Sequence, residues 1–171
     1  MKDVLVVIDM QKDFIDGALG SAEAQLIVDD VNNRIRQYQE NGREIIYTAD
    51  THEFDYLNSR EGKALPVEHC IKGSEGHEIA VDVFGKVFEK NTFGSVALGE
   101  YVKDNCQGKS FEIIGVCTDI CVISNAVIIR SFLPESEIVV NSQLCAGVSP
   151  QTHANAIAAM EMLQVQDCQE D

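Results

Sequence analysis

The order of elements along this 171-residue chain predicts an α/β fold built in three layers. Short apolar runs rich in Val and Ile alternate with segments whose apolar residues recur at helical spacing. Strands that alternate with helices pair in parallel through right-handed crossovers, which places helices on both faces of the sheet. We therefore predict one domain over residues 1–171, a three-layer αβα fold with a Rossmann-like open parallel sheet of five or six strands.

Five apolar runs predict the strands. Each run is short and carries the β-branched and aromatic residues that strands favour, and the first is continuous, as in a strand buried on both faces. Residues 86–89 give the weakest signal because charged residues stand at both ends. A sheet of six strands would need a short final strand starting at Val165. The five runs are residues 4–8 (VLVVI), 44–48 (EIIYT), 86–89 (KVFE), 111–116 (FEIIGV) and 137–140 (EIVV).

Four segments between these strands predict helices. Three of them start at a serine suited to cap a helix, and Pro150 stands at the first helical position of the last one. The first ends at Asn41-Gly42, a frequent helix stop. The predicted helices are residues 21–41, 95–102, 119–132 and 149–163. The polar segment from Asp50 to Gly76 shows little periodicity, which predicts a long functional loop.

Composition and charge exclude several classes of function. Thirteen basic residues against twenty-eight acidic ones give a formal net charge of -15, which repels nucleic acids and anionic membranes. An apolar share of 45% argues against disorder. The most apolar stretch, residues 113–129, contains Asp119 and is too short to span a membrane. The six cysteines include no CxxC pair and follow no secretory signal, so we expect a cytoplasmic protein with reduced thiols and leave a homo-oligomer open.

Chemically active residues follow four of the predicted strands. Asp9 ends the first strand, Asp50 and His52 follow the second, Lys90 ends the third, and Cys121 lies in the first helical turn after the fourth. Ligands bind beyond the carboxyl ends of parallel strands, so we expect these side chains to meet at one edge of the sheet. No GxGxxG motif follows the first strand, which argues against a dinucleotide there.

Cys121 carries the sharpest chemical prediction. A thiol in the first turn of a helix lies near the positive end of the helix dipole, and both this field and the Lys90 ammonium favour the nucleophilic thiolate. Asp9 is suited to accept the thiol proton and pass it to a leaving amine, while the amides of Cys117 and Cys121 are placed to stabilise an oxyanion. Taken singly, these residues also fit ordinary roles: a buried thiol, a turn cap and a surface lysine. Their joint placement favours catalysis.

Three blocks of sequence resemble the cysteine hydrolases of the isochorismatase-like superfamily, and nicotinamidases most closely among them. The blocks are residues 7–14 (VIDMQKDF), 90–95 (KNTFGS) and 115–122 (GVCTDICV). They stand in the same order as in that superfamily, and the lengths between them fit the whole chain.

The resemblance implies a role for each matching residue. Cys121 would be the nucleophile, Asp9 the general base and acid, and Lys90 the cation beside both. The Val116–Cys117 peptide bond would be cis, and the backbone amides of Cys117 and Cys121 would form the oxyanion hole. Phe14 would line the substrate pocket.

A metal site is predicted on the polar segment after the second strand. Asp50-Thr-His52 and the later His69 offer one carboxylate and two imidazoles, a set that suits zinc, iron or manganese. The resemblance strengthens this hypothesis, because nicotinamidases carry an Asp-x-His here and a later His before Cys-x-x-Gly, and it adds Glu61 as a fourth ligand. One feature departs from that family: nicotinamidases commonly have a Trp shortly before this His, and the chain has no Trp.

The predicted function is a nicotinamidase-like hydrolysis of a small-molecule amide. Nicotinamide or a related small heteroaromatic amide would be converted to its acid and ammonia through a thioester on Cys121. Two alternatives stay open at this point. One is another hydrolase of the same superfamily, acting on a different C–N bond or on a vinyl ether. The other is a non-enzymatic thiol redox module in which Cys117 and Cys121 form a reversible disulfide.

Overall fold

One open sheet of parallel strands forms the centre of the protein, seen in a computed structural model that describes residues 1–168. Its six strands are β1 (Val4–Ile8), β2 (Glu44–Asp50), β3 (Lys86–Lys90), β4 (Phe111–Val116), β5 (Ile138–Ala146) and β6 (Gln166–Asp167). Their order across the sheet is β3-β2-β1-β4-β5-β6, and every pair is parallel. The predicted open parallel sheet is confirmed, and it includes the sixth strand.

Helices connect the strands, and all three predicted serine caps are observed. The side chains of Ser21, Ser95 and Ser149 each accept a hydrogen bond from a backbone amide in the first helical turn. None of the helices within residues 1–168 is both long and apolar enough to cross a membrane. The α-helices are α1 (Lys12–Ile15), α2 (Ala22–Leu26), α3 (Val28–Glu40), α4 (Arg60–Ala64), α5 (Val96–Asn105), α6 (Ile123–Phe132) and α7 (Pro150–Met162).

The two faces of the sheet carry separate apolar cores. On the central strand β1, Val4, Val6 and Ile8 face one core, whereas Leu5 and Val7 face the other, because successive side chains of a strand point to opposite faces. Helices α5, α6 and α7 pack on the first face, and α2 and α3 pack on the second. Burial of β1 on both faces explains its unbroken apolar sequence. The three predicted layers are therefore present.

Two predicted helices differ from the observed ones. The predicted helix over residues 21–41 is interrupted at Ile27, which separates α2 from α3. Periodicity does not show this break, because the apolar residues of both helices face the same core. The predicted helix over residues 119–132 starts instead with a π-helical turn at Thr118–Val122, and regular α-helix begins only at Ile123.

The other differences concern the segment after β2 and the end of β5. The predicted loop over residues 50–76 contains a 3-10 turn at Tyr56–Asn58 and then α4. Helices α1 and α4 have four and five residues, too few to show a helical period in the sequence. Strand β5 continues to Ala146, well beyond the predicted end at residue 140, because its second half includes polar residues that interrupt the apolar run.

The carboxyl ends of β1 to β4 lie side by side. In the strand register, Ile8 pairs with both Thr48 and Gly115, and Asp50 pairs with Lys90. The residues that follow β1 and β4 therefore emerge next to the last residues of β2 and β3. The chain forms β2 and β3 on one side of β1 and then crosses to the other side to form β4, β5 and β6. Open α/β sheets form their binding crevice at such a switch point.

Gly115 permits β4 to approach β1 closely, so its replacement should be costly. Its φ is +118°, and a Cβ there would stand 2.1 Å from the Ile8 carbonyl oxygen. We expect Gly115→Ala to lower the free energy of unfolding by at least about 3 kcal/mol, measured by urea denaturation with circular dichroism. Gly108→Ala is the control: its φ is +74°, but nothing lies within 4 Å of the added Cβ, so the expected loss is about 1–2 kcal/mol. Equal losses of unfolding free energy in the two variants would contradict the predicted clash with the Ile8 carbonyl oxygen.

Candidate active site

Three buried side chains meet at the carboxyl ends of the central strands. The Lys90 ammonium nitrogen lies 2.7 Å from Asp9 Oδ2 and 3.6 Å from the Cys121 sulfur. Asp9 follows β1, Lys90 ends β3, and Cys121 lies in the turn after β4. Asp9 is fully buried, and Lys90 and Cys121 are each 6% exposed. The structure thus brings together the carboxylate, the ammonium and the thiol that the sequence singled out, and we call them the triad.

Asp9 is held in a fixed orientation. Its φ of +47° is unusual for a residue with a side chain. The Thr48 hydroxyl donates a hydrogen bond to Asp9 Oδ1 over 2.6 Å, and the Asp9 amide donates to the Thr48 carbonyl oxygen over 3.2 Å. One carboxylate oxygen therefore faces Thr48, and the other faces Lys90. Backbone strain of this kind persists only where the surroundings hold it, and it is common at active sites.

Burial controls the ionisation of the triad. It raises the pKa of Asp9, and the Lys90 charge opposes the rise only in part. Burial alone would lower the pKa of Lys90. Nearby negative charges, that of Asp9 first, outweigh the effect of burial, so the pKa of Lys90 is raised and its side chain stays an ammonium. Burial, followed by the Asp9 charge, raises the pKa of the Cys121 thiol well above 9.0. The sequence-based expectation of a lowered thiol pKa is wrong, because the effect of desolvation on this pKa is larger than the effects of the helix dipole and the Lys90 charge.

The Cys121 sulfur is presented by a wide helical turn. The Cys117 carbonyl oxygen accepts a hydrogen bond from the Val122 amide, five residues further on, over 3.1 Å. Asn125 Nδ2 donates to the Cys121 carbonyl oxygen over 2.8 Å and ties the turn to α6. The Val116–Cys117 peptide bond is cis, as the resemblance implied. Single π-helical turns of this type are frequent at functional sites.

Four side chains next to the triad form a cluster of potential metal ligands. Asp50, His52, Glu61 and His69 each offer one oxygen or nitrogen atom, and these atoms all lie within 4.8 Å of one another. Asp50 Oδ2 lies 2.8 Å from His52 Nε2 and 3.5 Å from His69 Nε2. Glu61 Oε1 lies 3.8 Å from both nitrogens. Lys90 Nζ lies 3.3 Å from Asp50 Oδ1, so the ligand cluster and the triad are in contact.

The geometry of the ligand cluster fits a divalent metal. Ligand atoms about 2.0–2.2 Å from one ion stand about 3–3.5 Å from each other, close to the spacings found between these atoms. His52 Nε2 is buried and, despite its closeness to Asp50, makes no hydrogen bond to the part of the chain that the structure describes. His69 Nδ1 lies 2.8 Å from the Val67 carbonyl oxygen, which orients Nε2 towards the cluster. Two imidazoles and two carboxylates suit zinc, iron or manganese.

Sequence reasoning missed the residues that support the site. Gln11 Nε2 donates to the Asp50 carbonyl oxygen over 2.8 Å, and the Asp50 amide donates to Gln11 Oε1 over 2.7 Å. The Tyr56 ring packs against both imidazoles of the ligand cluster, with ring centres 4.6 Å and 4.9 Å apart. Gln11 lies in the first of the three sequence blocks, and this position is a signal that could have identified it. Thr48 and Tyr56 lie outside all three blocks and carry no comparable signal.

A cleft of about 680 Å³ opens over the site. Six of the nine predicted site residues line it: Phe14, Asp50, Glu61, His69, Cys117 and Cys121. The other three, Asp9, His52 and Lys90, are buried beside it. Phe14 also packs against the ligand cluster, with its ring centre 5.6 Å from that of His69. The remaining walls are mainly apolar. The cleft therefore admits a small molecule to the thiol and to the ligand cluster at once.

Comparison with known proteins shows the family. A sequence profile of the isochorismatase domain matches residues 3–170. The chain belongs to the isochorismatase family. The uncharacterized isochorismatase family protein PncA of Bacillus subtilis (strain 168) is 28% identical to it in an alignment 179 residues long, and the alignment covers 92% of this chain and 93% of that protein. The resemblance inferred from three sequence blocks is thereby confirmed.

Solved structures of the isochorismatase family share the fold over nearly their whole length. The pyrazinamidase of Pyrococcus horikoshii, solved in complex with zinc, is 26% identical and superposes with a TM-score of 0.86, covering 98% of both chains. The nicotinamidase PncA from Bacillus subtilis is 25% identical, with a TM-score of 0.83 over 99% of this chain and 100% of that one. The present chain is therefore similar to these amidases in both sequence and architecture.

The charge balance at Cys121 predicts how Asp9 controls the thiol. Among the charges near Cys121, that of Asp9 has the largest effect and raises the thiol pKa, whereas that of Lys90 lowers it, so Asp9→Asn removes the main charge that opposes ionisation of the thiol. We expect the pKa of Cys121 to fall, and its alkylation by iodoacetamide at neutral pH to accelerate about three- to fourfold per unit of pKa, because the gain in thiolate is partly offset by its lower nucleophilicity. Mass spectrometry of the Cys121 peptide measures the rate. Asp16→Asn, which removes an exposed carboxylate, should leave it unchanged. Unchanged or slower alkylation in Asp9→Asn would contradict this account.

Proposed function

We propose that this chain is a metal-dependent amidohydrolase that converts nicotinamide or a related small heteroaromatic amide to its acid and ammonia. The observation that carries the proposal is the placement of the triad beside the ligand cluster, with Lys90 in contact with both. The similarity to a nicotinamidase and a pyrazinamidase supports the choice of an amide. A thiol redox role has less support, because burial raises the pKa of Cys117 to about 12 and that of Cys121 well above its ordinary value.

The proposed first half-reaction transfers the acyl group to sulfur. Asp9 accepts the thiol proton of Cys121 as the sulfur attacks the amide carbonyl carbon. The carbonyl π electrons move to oxygen, and the backbone amides of Cys117 and Cys121 stabilise the resulting oxyanion. When the carbonyl re-forms, the C–N bond breaks and Asp9 returns its proton to the leaving nitrogen. Ammonia departs and a thioester remains on Cys121.

The proposed second half-reaction releases the acid. Asp9 takes a proton from a water molecule whose oxygen attacks the thioester carbon. The same backbone amides stabilise the second oxyanion. The C–S bond then breaks, the Asp9 proton passes to the Cys121 sulfur, and the acid leaves. Both halves use one carboxylate, which alternately accepts and donates a proton.

Raised pKa values suit this role of Asp9. The neutral Cys121 thiol carries the proton that Asp9 later passes to the leaving nitrogen. The sulfur therefore becomes a strong nucleophile only as Asp9 removes this proton. Burial raises the pKa of Asp9 towards the range in which a carboxyl group both accepts and donates protons efficiently. Lys90 remains cationic and stabilises the sulfur anion as it forms.

The ligand cluster is the proposed metal site, with Asp50, His52, Glu61 and His69 as the residues that would hold the ion. When bound, a divalent metal supplies a Lewis acid that binds the ring nitrogen and orients the carboxamide. The zinc complex of the Pyrococcus horikoshii pyrazinamidase supports zinc, and iron and manganese are the other candidates. Phe14 lines the cleft beside this cluster and is the proposed contact for the substrate ring.

Cys121→Ala tests the covalent step. We expect it to reduce ammonia release from nicotinamide and related heteroaromatic amides by at least about 10³-fold, because the proposed thioester forms on the Cys121 sulfur. Cys117→Ala is the matched control: it removes a thiol from the same cleft but keeps the backbone amide, so it should retain most of the activity. Thermal melting of both variants checks that the fold is intact. Substantial turnover by a folded Cys121→Ala variant would contradict the mechanism.

His69→Ala tests the metal site. We expect its metal affinity to fall by at least about 10-fold, and its bound metal after dialysis to drop well below about one ion per chain. Elemental analysis measures the content, and the loss of metal-dependent gain in Tm gives a second readout. His77→Ala is the control, since this imidazole contacts the Thr51 hydroxyl at 2.8 Å and lies outside the ligand cluster. Equal metal content in the two variants would contradict the assignment.

A further inference from the structure

Arg60 is a cation on the cleft wall whose guanidinium has no partner among residues 1–168. Its side chain lines the cleft and is exposed, and it makes no hydrogen bond, ion pair or ring contact within residues 1–168. The other four arginines are all engaged: Arg34 with Glu112, Arg36 with Asp82, Arg43 with Asp3, and Arg130 with backbone carbonyl oxygens. Arg60 is thus available to bind a ligand without breaking an existing contact.

Helix stability does not account for this position. Arg60 is the first residue of α4, where the helix dipole disfavours a positive charge. The helix is already capped by Ser59, whose hydroxyl oxygen accepts a hydrogen bond from the Gly62 amide. The next residue, Glu61, belongs to the ligand cluster. Helix α4 therefore carries a candidate metal ligand, Glu61, and directly before it Arg60, which the stability of the helix does not require.

The cleft is larger than a single-ring amide requires. Its volume of about 680 Å³ lies within the range of about 300–1,000 Å³ that is typical of pockets for larger, drug-sized ligands. Among the lysines and arginines of the described chain, Arg60 is the one that lines it. Apolar side chains, including those of Leu19, Leu65 and Val148, form much of the remaining wall. A substrate with its amide at Cys121 therefore leaves room for a further substituent.

We propose that Arg60 binds a carboxylate on the part of the substrate remote from the scissile amide. The preferred substrates are then heteroaromatic amides that carry such an acid, an inference that rests on the amidase function proposed above. A guanidinium pairs with a carboxylate through two parallel hydrogen bonds, which gives both affinity and orientation. The net charge of -15 repels anions from the surface as a whole, so an acidic substrate needs a local cation to hold it.

Matched pairs of pyridine carboxamides test this assignment. One member of each pair carries a carboxyalkyl substituent, and the other carries a neutral alkyl chain of the same length. For the chain length that reaches Arg60, we expect kcat/KM of the wild type to favour the acid by at least about 10-fold, and Arg60→Gln to abolish the preference, chiefly through KM. Lys63→Gln removes a positive charge from the same helix outside the cleft and should keep the preference.

Calorimetry on the Cys121→Ala variant gives a second readout that needs no turnover. The Cys121→Ala variant should bind the acid at least about 10-fold more tightly than its neutral partner. The double variant with Cys121→Ala and Arg60→Gln should bind the two compounds equally. Acid-selective binding with no ammonia release by the wild type would overturn the amidase function and leave the Arg60 site standing. Equal binding of acid and neutral partner, no binding of any acid, or a preference that survives Arg60→Gln would overturn the Arg60 assignment.

Discussion

The ion pair between Lys90 and Asp9 is the contact on which the rest of the site depends. Charges buried this deeply carry a large desolvation cost, which only close pairing offsets, and here the two atoms lie 2.7 Å apart. The same ammonium reaches the Cys121 sulfur and the Asp50 carboxylate. One cation therefore joins the proposed proton acceptor, the proposed nucleophile and the ligand cluster, and without it the Asp9 carboxylate would lose its partner cation in the interior.

The sheet makes this pairing possible. Asp9 and Lys90 lie at the ends of strands whose backbones are fixed by parallel ladders on both sides of β2, so their separation does not depend on a mobile loop. The Cys121 turn is fixed in a similar way, since it leaves β4 directly and is tied to α6 through Asn125. Catalytic groups placed on rigid elements keep their distances, which acid–base and nucleophilic chemistry both require.

Charge is distributed unevenly between the site and the surface. The chain as a whole carries -15, yet the carboxylates of Asp9 and Asp50 both face Lys90, and the cluster that contains Asp50 and Glu61 fits a divalent cation. With the proposed divalent cation bound, the site would be close to electrical balance, and the acidic excess would lie mainly outside it. Against that background, the proposed pairing of Arg60 with a carboxylate would favour acidic substrates.

Local sequence was sufficient for the order of strands and helices and for the triad. Apolar runs and helical spacing are local properties, and parallel pairing brings the carboxyl ends of the strands to one edge, which placed Asp9, Lys90 and Cys121 together. Glu61 needed the family resemblance, because no local motif in the sequence marks it as a ligand. The raised pKa of Cys121, the supporting contact of Thr48 and the unpaired state of Arg60 emerged only from the folded chain, because burial and contact depend on atoms brought together from distant segments.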